Sequence, residues 1–138
     1  MEIEELQIGD MVQYQGGVDV VKNFAPDYAK IAVVLEEKGA VLQRDAIDVY
    51  GLPINEKTLR MFEFAEYKDL DKVPIYLNET EDHELQVYKE RINWRVRIQR
   101  GAEASISIKA KYIHELQQAM RIMGLKKMAK IYKVVNIN

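Results

Sequence analysis

The chain has 138 residues, of which 48% are hydrophobic and 30% charged, as expected for one globular domain. It contains no cysteine, which excludes a disulfide framework, a thiolate metal site and a cysteine nucleophile. No segment approaches the ~18 uncharged apolar residues of a membrane span, and the acidic residues 1–5 are unlike a signal peptide. We therefore expect a soluble, cytoplasmic protein with no membrane partner.

Charge is distributed unevenly along the chain. Residues 1–83 contain 18 acidic and 8 basic residues, whereas residues 84–138 contain 4 acidic and 12 basic residues. Such an asymmetry can mark a basic binding face. The interpretation that we prefer is that the two halves pack together and partly neutralise each other, because net charge reports on solubility and steering rather than on fold.

The first 50 residues predict a run of short strands. Apolar residues alternate around Val12 and again at Val18 and Val20, and Gly16-Gly17 between them favours a hairpin turn because glycine accepts a positive φ. Further strands are predicted at residues 28–35, 40–44 and 47–50. Five short strands favour a small SH3-like β-barrel, with an open curled sheet as the alternative.

A short helix is expected after this unit. Asn55 occupies the N-cap position, and Leu59 and Phe62 fall on one helical face. Residues 64–83 are acidic and turn-prone, with one predicted strand over 73–77. Pro74 indicates that this strand either lies at a sheet edge or begins there, because proline has no N–H to donate.

The second half predicts an antiparallel sheet. Apolar residues alternate with polar ones in three segments, which are separated by turns near residue 90 and at Gly101. The alternating positions are Leu85 and Val87, then Ile92, Trp94, Val96 and Ile98, then Ile106 and Ile108.

A helix is predicted over residues 111–123, where the apolar period becomes helical. Its stripe consists of Ile113, Leu116, Met120 and Met123. Gly124 follows as the C′ residue, and Trp94 and Ile98 are expected to lie buried beneath the stripe. The tail, 125–138, suits either a helix or a strand.

Together these patterns predict an α+β fold. An N-terminal small β-barrel-like (SH3-like) unit covers residues 1–52. An α+β unit over residues 53–138 follows, in which an antiparallel sheet packs on the C-terminal helix. We expect the two units to share one core.

Three segments carry a resemblance to a known family. They are Glu5-Leu6-Gln7-Ile8-Gly9-Asp10, Gly51-Leu52-Pro53-Ile54-Asn55-Glu56 with the phenylalanines that follow, and Lys111-Tyr112-Ile113-His114-Glu115-Leu116-Gln117-Gln118. In order and rough spacing they resemble a family of small, functionally uncharacterised proteins common in gut Bacteroidetes and in their phages and mobile elements. Asn55 and Glu63 depart from the usual threonine and glycine, and the tail is longer. The resemblance implies a phage or mobile-element origin and carries over no catalytic residues.

The chain has two histidines, His83 and His114, whose side chains could act in metal binding or acid–base chemistry. His83 lies in an acidic loop without zinc or calcium spacing, so a solvated loop is favoured over a cation site. Tyr112 and His114 are candidate functional or structural helix residues. For His114, a buried histidine that donates to a backbone carbonyl is favoured over a general base.

No enzyme is predicted. Ser105 and Ser107 lack a nucleophile elbow, and the chain has neither a Walker loop nor a dinucleotide-binding glycine motif. We therefore expect no catalytic residue, no cofactor and no metal.

The arginine-rich strand over residues 91–100 is the main binding candidate. Arg91, Arg95 and Arg97 share one face at period two, and Arg100 ends the segment. Such a row can neutralise phosphates, but Trp94 points to the opposite face and offers no stacking ring among the arginines. The alternative is that these arginines pair with carboxylates of the first half or keep the sheet soluble. Four lysines of the tail extend the basic charge: Lys126, Lys127, Lys130 and Lys133.

Two functions follow as hypotheses. The leading one is a non-enzymatic accessory protein of phage or mobile-element origin that acts by contact with an unknown protein partner. The alternative is a nucleic-acid-binding module that uses the arginine-rich strand. Homo-oligomerisation is left open.

Overall fold

The protein folds into two antiparallel sheets and two α-helices within the residues that its computed structural model describes, namely 1–25, 30–34, 41–68, 74–102, 104–130 and 132. The first sheet has the strand order β4-β3-β2-β1-β5, and the second has the order β10-β9-β8-β7-β6. The strands are β1 (Met11–Tyr14), β2 (Gly17–Ala25), β3 (Lys30–Val34), β4 (Val41–Asp45), β5 (Tyr50–Gly51), β6 (Ala65–Lys68), β7 (Pro74–Glu79), β8 (His83–Glu90), β9 (Asn93–Arg100) and β10 (Ala104–Ala110). The α-helices are α1 (Glu56–Arg60) and α2 (Ile113–Ile122).

The first hairpin forms one residue earlier than its glycines suggested. Tyr14 pairs with Gly17, so the two turn residues are Gln15 and Gly16, with φ values of 48° and 81°. Two successive positive φ values suit the twist of a two-residue hairpin. The predicted hairpin is therefore confirmed, with Gln15 rather than Gly17 in the turn.

The first sheet is open in the described residues. Strands β4 and β5 occupy its two edges, and no closed barrel is found, so the structure agrees with the alternative of a curled sheet. The pairing of β2 with β3 shifts register between Val21 and Asn23, a bulge of the kind that bends a strand. The predicted strand over 47–50 is wrong in part. A 3₁₀ helix covers Ala46–Asp48, and only Tyr50–Gly51 pairs with β1. Of the predicted strand over 28–35, residues 28, 29 and 35 lie outside the described residues.

The helix α1 begins as predicted. The Asn55 side chain accepts a hydrogen bond of 3.0 Å from Thr58 N, and the Thr58 hydroxyl accepts one of 2.9 Å from Asn55 N. This reciprocal pair satisfies two of the unpaired amides at a helix start. Leu59 and Phe62 are both fully buried, which confirms their shared face.

The second sheet is a five-stranded meander that includes one strand absent from the prediction, β6. Because β7 lies between β6 and β8, Pro74 is the first residue of a strand and not a member of an edge strand. The assignment of Ile92 to a strand face is wrong. Arg91 and Ile92 form the two-residue turn between β8 and β9, Arg91 has a φ of 58°, and Ile92 is 80% exposed.

The larger hydrophobic core includes residues from both halves of the chain. It joins Met11, Val18 and Leu52 to the inner face of the second sheet and to the α2 stripe, which is buried as predicted. Ile98 is fully buried in this core. Trp94 is only half-buried at its margin, with its ring 6.1 Å from that of Tyr76, so its predicted burial is wrong in part.

The helix α2 is shorter than the predicted 111–123, because Tyr112 is its N-cap and Met123 its C-cap. Gly124 takes the predicted C′ position with a φ of 77°. Beyond it a 3₁₀ helix covers Met128–Lys130, whereas residues 131 and 133–138 lie outside the described residues. No helix in the described part of the chain has the length and apolarity needed to cross a membrane.

Candidate functional site

Segments 51–56 and 111–118, the second and third of the three segments singled out in the sequence, meet at the start of α2. Ile113 N donates to Leu52 O at 2.7 Å, Ile54 N donates to Lys111 O at 3.0 Å, and Pro53 and Tyr112 form a β-bridge between these bonds. The Tyr112 ring lies over Gly51, where a Cβ atom would come within 2.5 Å of it. Glycine at this position therefore lets the ring approach the backbone.

The first segment meets the middle of α2. Gln117 is fully buried, and its Oε1 accepts a hydrogen bond of 2.8 Å from Met11 N. Its Nε2 donates to Gly9 O at 3.0 Å and to Ala129 O at 3.1 Å. One side-chain amide therefore satisfies three backbone groups from two remote parts of the chain.

A buried ion pair completes this contact. Asp10 is fully buried, and its carboxylate accepts hydrogen bonds from Arg121, from Gln118 Nε2 at 2.8 Å and from Gln7 N at 2.8 Å. Arg121 also donates to Gln7 Oε1 at 3.1 Å. This is one place where an acidic residue of the first half neutralises a basic residue of the second.

Tyr112 and His114 lie inside the same junction. Their rings stack with centroids 5.6 Å apart and an interplanar angle of 11°, and His114 is buried. Burial lowers the pKa of His114, and the carboxylates of Asp10, Glu115 and Glu5 act weakly in the opposite direction. The structure supplies no hydrogen-bond partner for His114 Nδ1, so the expected bond to a backbone carbonyl is not seen at that atom. The geometry favours a structural role for both residues.

The solvent-facing side of the second sheet carries the predicted arginines together with carboxylates. Arg95 forms an ion pair with Glu90 at 2.9 Å, which lowers the pKa of the Glu90 carboxyl. Arg97 lies between Gln86 and Ser107 on the neighbouring strands, without an ion pair to a described residue. By register this face carries three basic and three acidic residues among those described: Arg95, Arg97 and Lys109 with Glu79, Glu84 and Glu90.

The other two predicted arginines lie elsewhere. Arg91 is in the β8–β9 turn, so the row of arginines does not begin there. Arg100 has the same parity as Val96 and Ile98 and therefore projects from the opposite face, where its Nη1 donates to Met123 O at 3.1 Å. The four arginines do not form one surface.

Arg100 instead borders a cleft of about 640 Å³, which we call the basic cleft. The cleft lies between the β7–β8 turn, the end of α1 and the segment after α2. Its lining residues are Phe62, Glu63, Asn78, Thr80, Asp82, His83, Arg100, Gly124, Leu125, Lys126, Lys127 and Met128. Phe62, Leu125 and Met128 are buried and make part of the lining apolar, whereas Arg100, Lys126 and Lys127 are exposed around it.

The cleft could not be found from local spacing, because its lining comes from four remote segments. One signal was available. In an antiparallel hairpin with its turn at residues 91–92, His83 pairs with Arg100. This pairing places the acidic loop next to the end of the arginine-rich strand.

A hydrogen-bonded chain occupies one wall of the cleft. Thr80 Oγ1 lies 3.0 Å from His83 Nδ1, and His83 Nε2 lies 3.3 Å from Asn78 Oδ1. The Thr80 hydroxyl has a shorter acceptor, Asp82 Oδ1 at 2.7 Å, and Thr80 N donates to His83 O at 2.9 Å. These bonds close the β7–β8 turn. Because the Thr80 hydroxyl donates its proton to Asp82 within that turn, its role is to stabilise the turn.

The described residues contain no group of three or more histidine, aspartate or glutamate side chains placed to hold a metal ion. The acidic loop agrees with the solvated interpretation in that Glu79, Glu81 and Asp82 are exposed. His83 is the exception, since its side chain is only 10% exposed.

Comparisons with known proteins give no match: no family model, no curated protein and no solved structure is similar to this chain.

Proposed function

We propose that the protein is a non-enzymatic accessory protein of phage or mobile-element origin that acts by protein–protein contact, and that its basic cleft binds an acidic segment of the partner. The observation that carries the proposal is the charge at the cleft. Arg100, Lys126 and Lys127 border it, and none of them forms an ion pair with a described residue.

The buried polar side chains elsewhere in the protein support this choice, because they are already hydrogen-bonded within the fold. The side chains of Asp10, Gln117, Gln118 and Arg121 bind backbone groups or each other at the junction of the two halves. Groups committed to the fold in this way are not available to a ligand. Lys126 and Lys127 have no hydrogen-bond or ion-pair partner among the described residues, so they are the stronger binding candidates, whereas Arg100 already donates to Met123 O.

The cleft suits a peptide better than a nucleic acid. Glu63 and Asp82 interrupt the cations of its lining, so a continuous row of phosphates would meet repulsion that a peptide with one or two carboxylates placed beside Lys126 and Lys127 can avoid. Two aromatic rings are among the described lining residues. Phe62 is fully buried and the His83 side chain is only 10% exposed, so neither ring is open to stack on a base. An acidic peptide with apolar side chains matches both the exposed cations and the apolar lining.

The nucleic-acid alternative keeps one specific observation in its favour, since Arg97 forms no ion pair within the part of the chain that the structure describes. The balanced charge around it weakens that case, because non-specific nucleic-acid binding depends on net positive charge.

We also retain the SH3-like unit as a proposal, supported by the five-strand order of the first sheet and by the bulge in β2.

A display library of random peptides tests the proposal. Panned on the purified protein, it should enrich sequences that combine Asp or Glu with aliphatic or aromatic residues. The double variant K126E/K127E should bind the enriched peptides about tenfold more weakly or worse, because it reverses two contacts with the acidic segment. The matched control is K22E/K57E, which makes the same change in net charge at exposed residues outside the cleft lining.

Two outcomes would contradict the proposal. One is the absence of enriched acidic peptides, and the other is equal loss of binding in the two double variants. Binding of a mixed-sequence oligonucleotide at about 50 mM salt, falling steeply as salt rises, would favour the nucleic-acid alternative instead.

A further inference from the structure

The outer edge of β10 is a second binding feature, independent of the cleft. β10 is the last strand of the second sheet, and all seven of its residues pair with β9 without a bulge. In the described part of the chain no strand pairs with its other edge. That edge presents unpaired backbone N–H and C=O groups, which can be extended by another strand.

The other sheet edges are protected in ways that β10 is not. β5 has two residues and β6 has four, and both are short for an additional strand. β4 carries Arg44 and Asp45. β10 is the longest of the four edge strands, contains no proline, and has Lys109 as its one charged residue. Short length, charge, proline and bulges are the usual means of blocking edge pairing.

The side chains of β10 are complementary to those of a second, antiparallel β10. If Ser107 lies on a two-fold axis, Ile106 falls opposite Ile108 of the other copy, and Ser105 falls opposite Lys109. Ile106 and Ile108 are half-buried at the margin of the core, so the contact would cover their remaining exposed surface. A pairing shifted by one residue would place isoleucine opposite serine on the wrong face. An axis at Ile106 or Ile108 would keep the faces but would form one pair of opposed isoleucines instead of two, so the axis at Ser107 is favoured.

We propose that β10 pairs with β10 of a second copy across a two-fold axis at Ser107, joining the two second sheets into one ten-stranded sheet. The contact is isologous, as in most homodimers. A single pair of seven-residue strands covers less area than the roughly 800 Å² per partner of a standard interface, so we expect a dimer in the micromolar range.

Disulfide trapping tests the register, because the native chain has no cysteine. Ser107→Cys should form a covalent dimer rapidly under mild oxidation, since residues directly opposite across a strand pair lie within disulfide range. Ser105→Cys should not, because the two copies of residue 105 would be four residues apart along the strand, about 13 Å.

Sedimentation between about 5 and 500 µM tests the association itself. Ser107→Lys should weaken the dimer about tenfold or more, because it places two like charges opposite each other at the axis. Gln99→Lys is the control, since it adds the same charge to the same exposed face one strand inward. Trp94 fluorescence and circular dichroism check that each variant is folded. A protein that stays monomeric throughout this range, equal cross-linking at 105 and 107, or equal weakening by Ser107→Lys and Gln99→Lys would each overturn the proposal.

Discussion

Replacement of Gln117 by methionine tests the junction between the two halves. The change keeps the length of the side chain and its helix propensity while removing both polar atoms. Three backbone groups then lose their partner: Met11 N, Gly9 O and Ala129 O, which lie 2.8, 3.0 and 3.1 Å from the amide.

The expected loss of stability follows from the burial of these groups. A buried donor or acceptor that is left unpaired costs about 1–3 kcal/mol. Since the neighbouring backbone can relax in part, we expect Gln117→Met to lower the free energy of unfolding by about 3–5 kcal/mol. That is a large fraction of the 5–15 kcal/mol typical of a domain.

Urea denaturation followed by the fluorescence of Trp94 measures this loss, and hydrogen exchange at Met11 N reports on the bond directly. Gln118→Met is the matched control on the same helix. Gln118 is only half-buried and donates to Glu5 O at 2.9 Å and to Asp10 at 2.8 Å, so its loss should be about 1–2 kcal/mol. The reasoning is refuted if Gln117→Met costs no more than Gln118→Met while the Met11 amide stays protected.

Three further predictions concern the same junction. Arg121→Met should destabilise the protein by about 3 kcal/mol in urea denaturation because it leaves the buried Asp10 carboxylate without its cation, and a loss near zero would contradict this. Since burial lowers the pKa of His114, the unfolded chain takes up a proton first as the pH falls below about 6.5, and stability should fall with it by up to about 1.4 kcal/mol per pH unit. Unfolding free energies of wild type and His114→Gln from pH 7.5 to 5 check this, and parallel curves would rule it out. Gly51→Ala should lower stability by about 1–3 kcal/mol because its Cβ meets the Tyr112 ring, and Tyr112→Leu should reduce the effect of the same substitution in a double-mutant cycle.

Local patterns predicted the elements whose signal lies within a few residues. The α2 stripe, the Asn55 cap and the glycine after α2 each depend on contacts within one or two turns, and each is present. Ile92 shows the limit of such patterns. Its spacing fits the strand, but a turn that begins at Arg91 leaves it exposed. The alternation of apolar and polar residues does not show which two residues of a hairpin form its turn.

The parts that were missed depend on contacts between remote residues. Gln117 looks like a polar position on an amphipathic helix, and nothing nearby indicates that it binds Met11, 106 positions away. The sequence places Arg100 next to the other arginines of its strand, but strand parity puts it on the opposite face, beside Lys126 and Lys127. The basic cleft therefore becomes visible only when the hairpins and the end of α2 are assembled.

The bond between Gln117 and Met11 also constrains the order of events during synthesis. The ribosome adds about 5–20 residues per second, so the amide of Met11 waits roughly 5–20 s for its partner to be made. During that interval the nascent first sheet lacks α2, and for most of it the complete second sheet as well, to cover Val18, Val20 and Leu52. The N-terminal half therefore reaches its final state only after nearly the whole chain has left the ribosome, and a message truncated before α2 would yield a product with an open core.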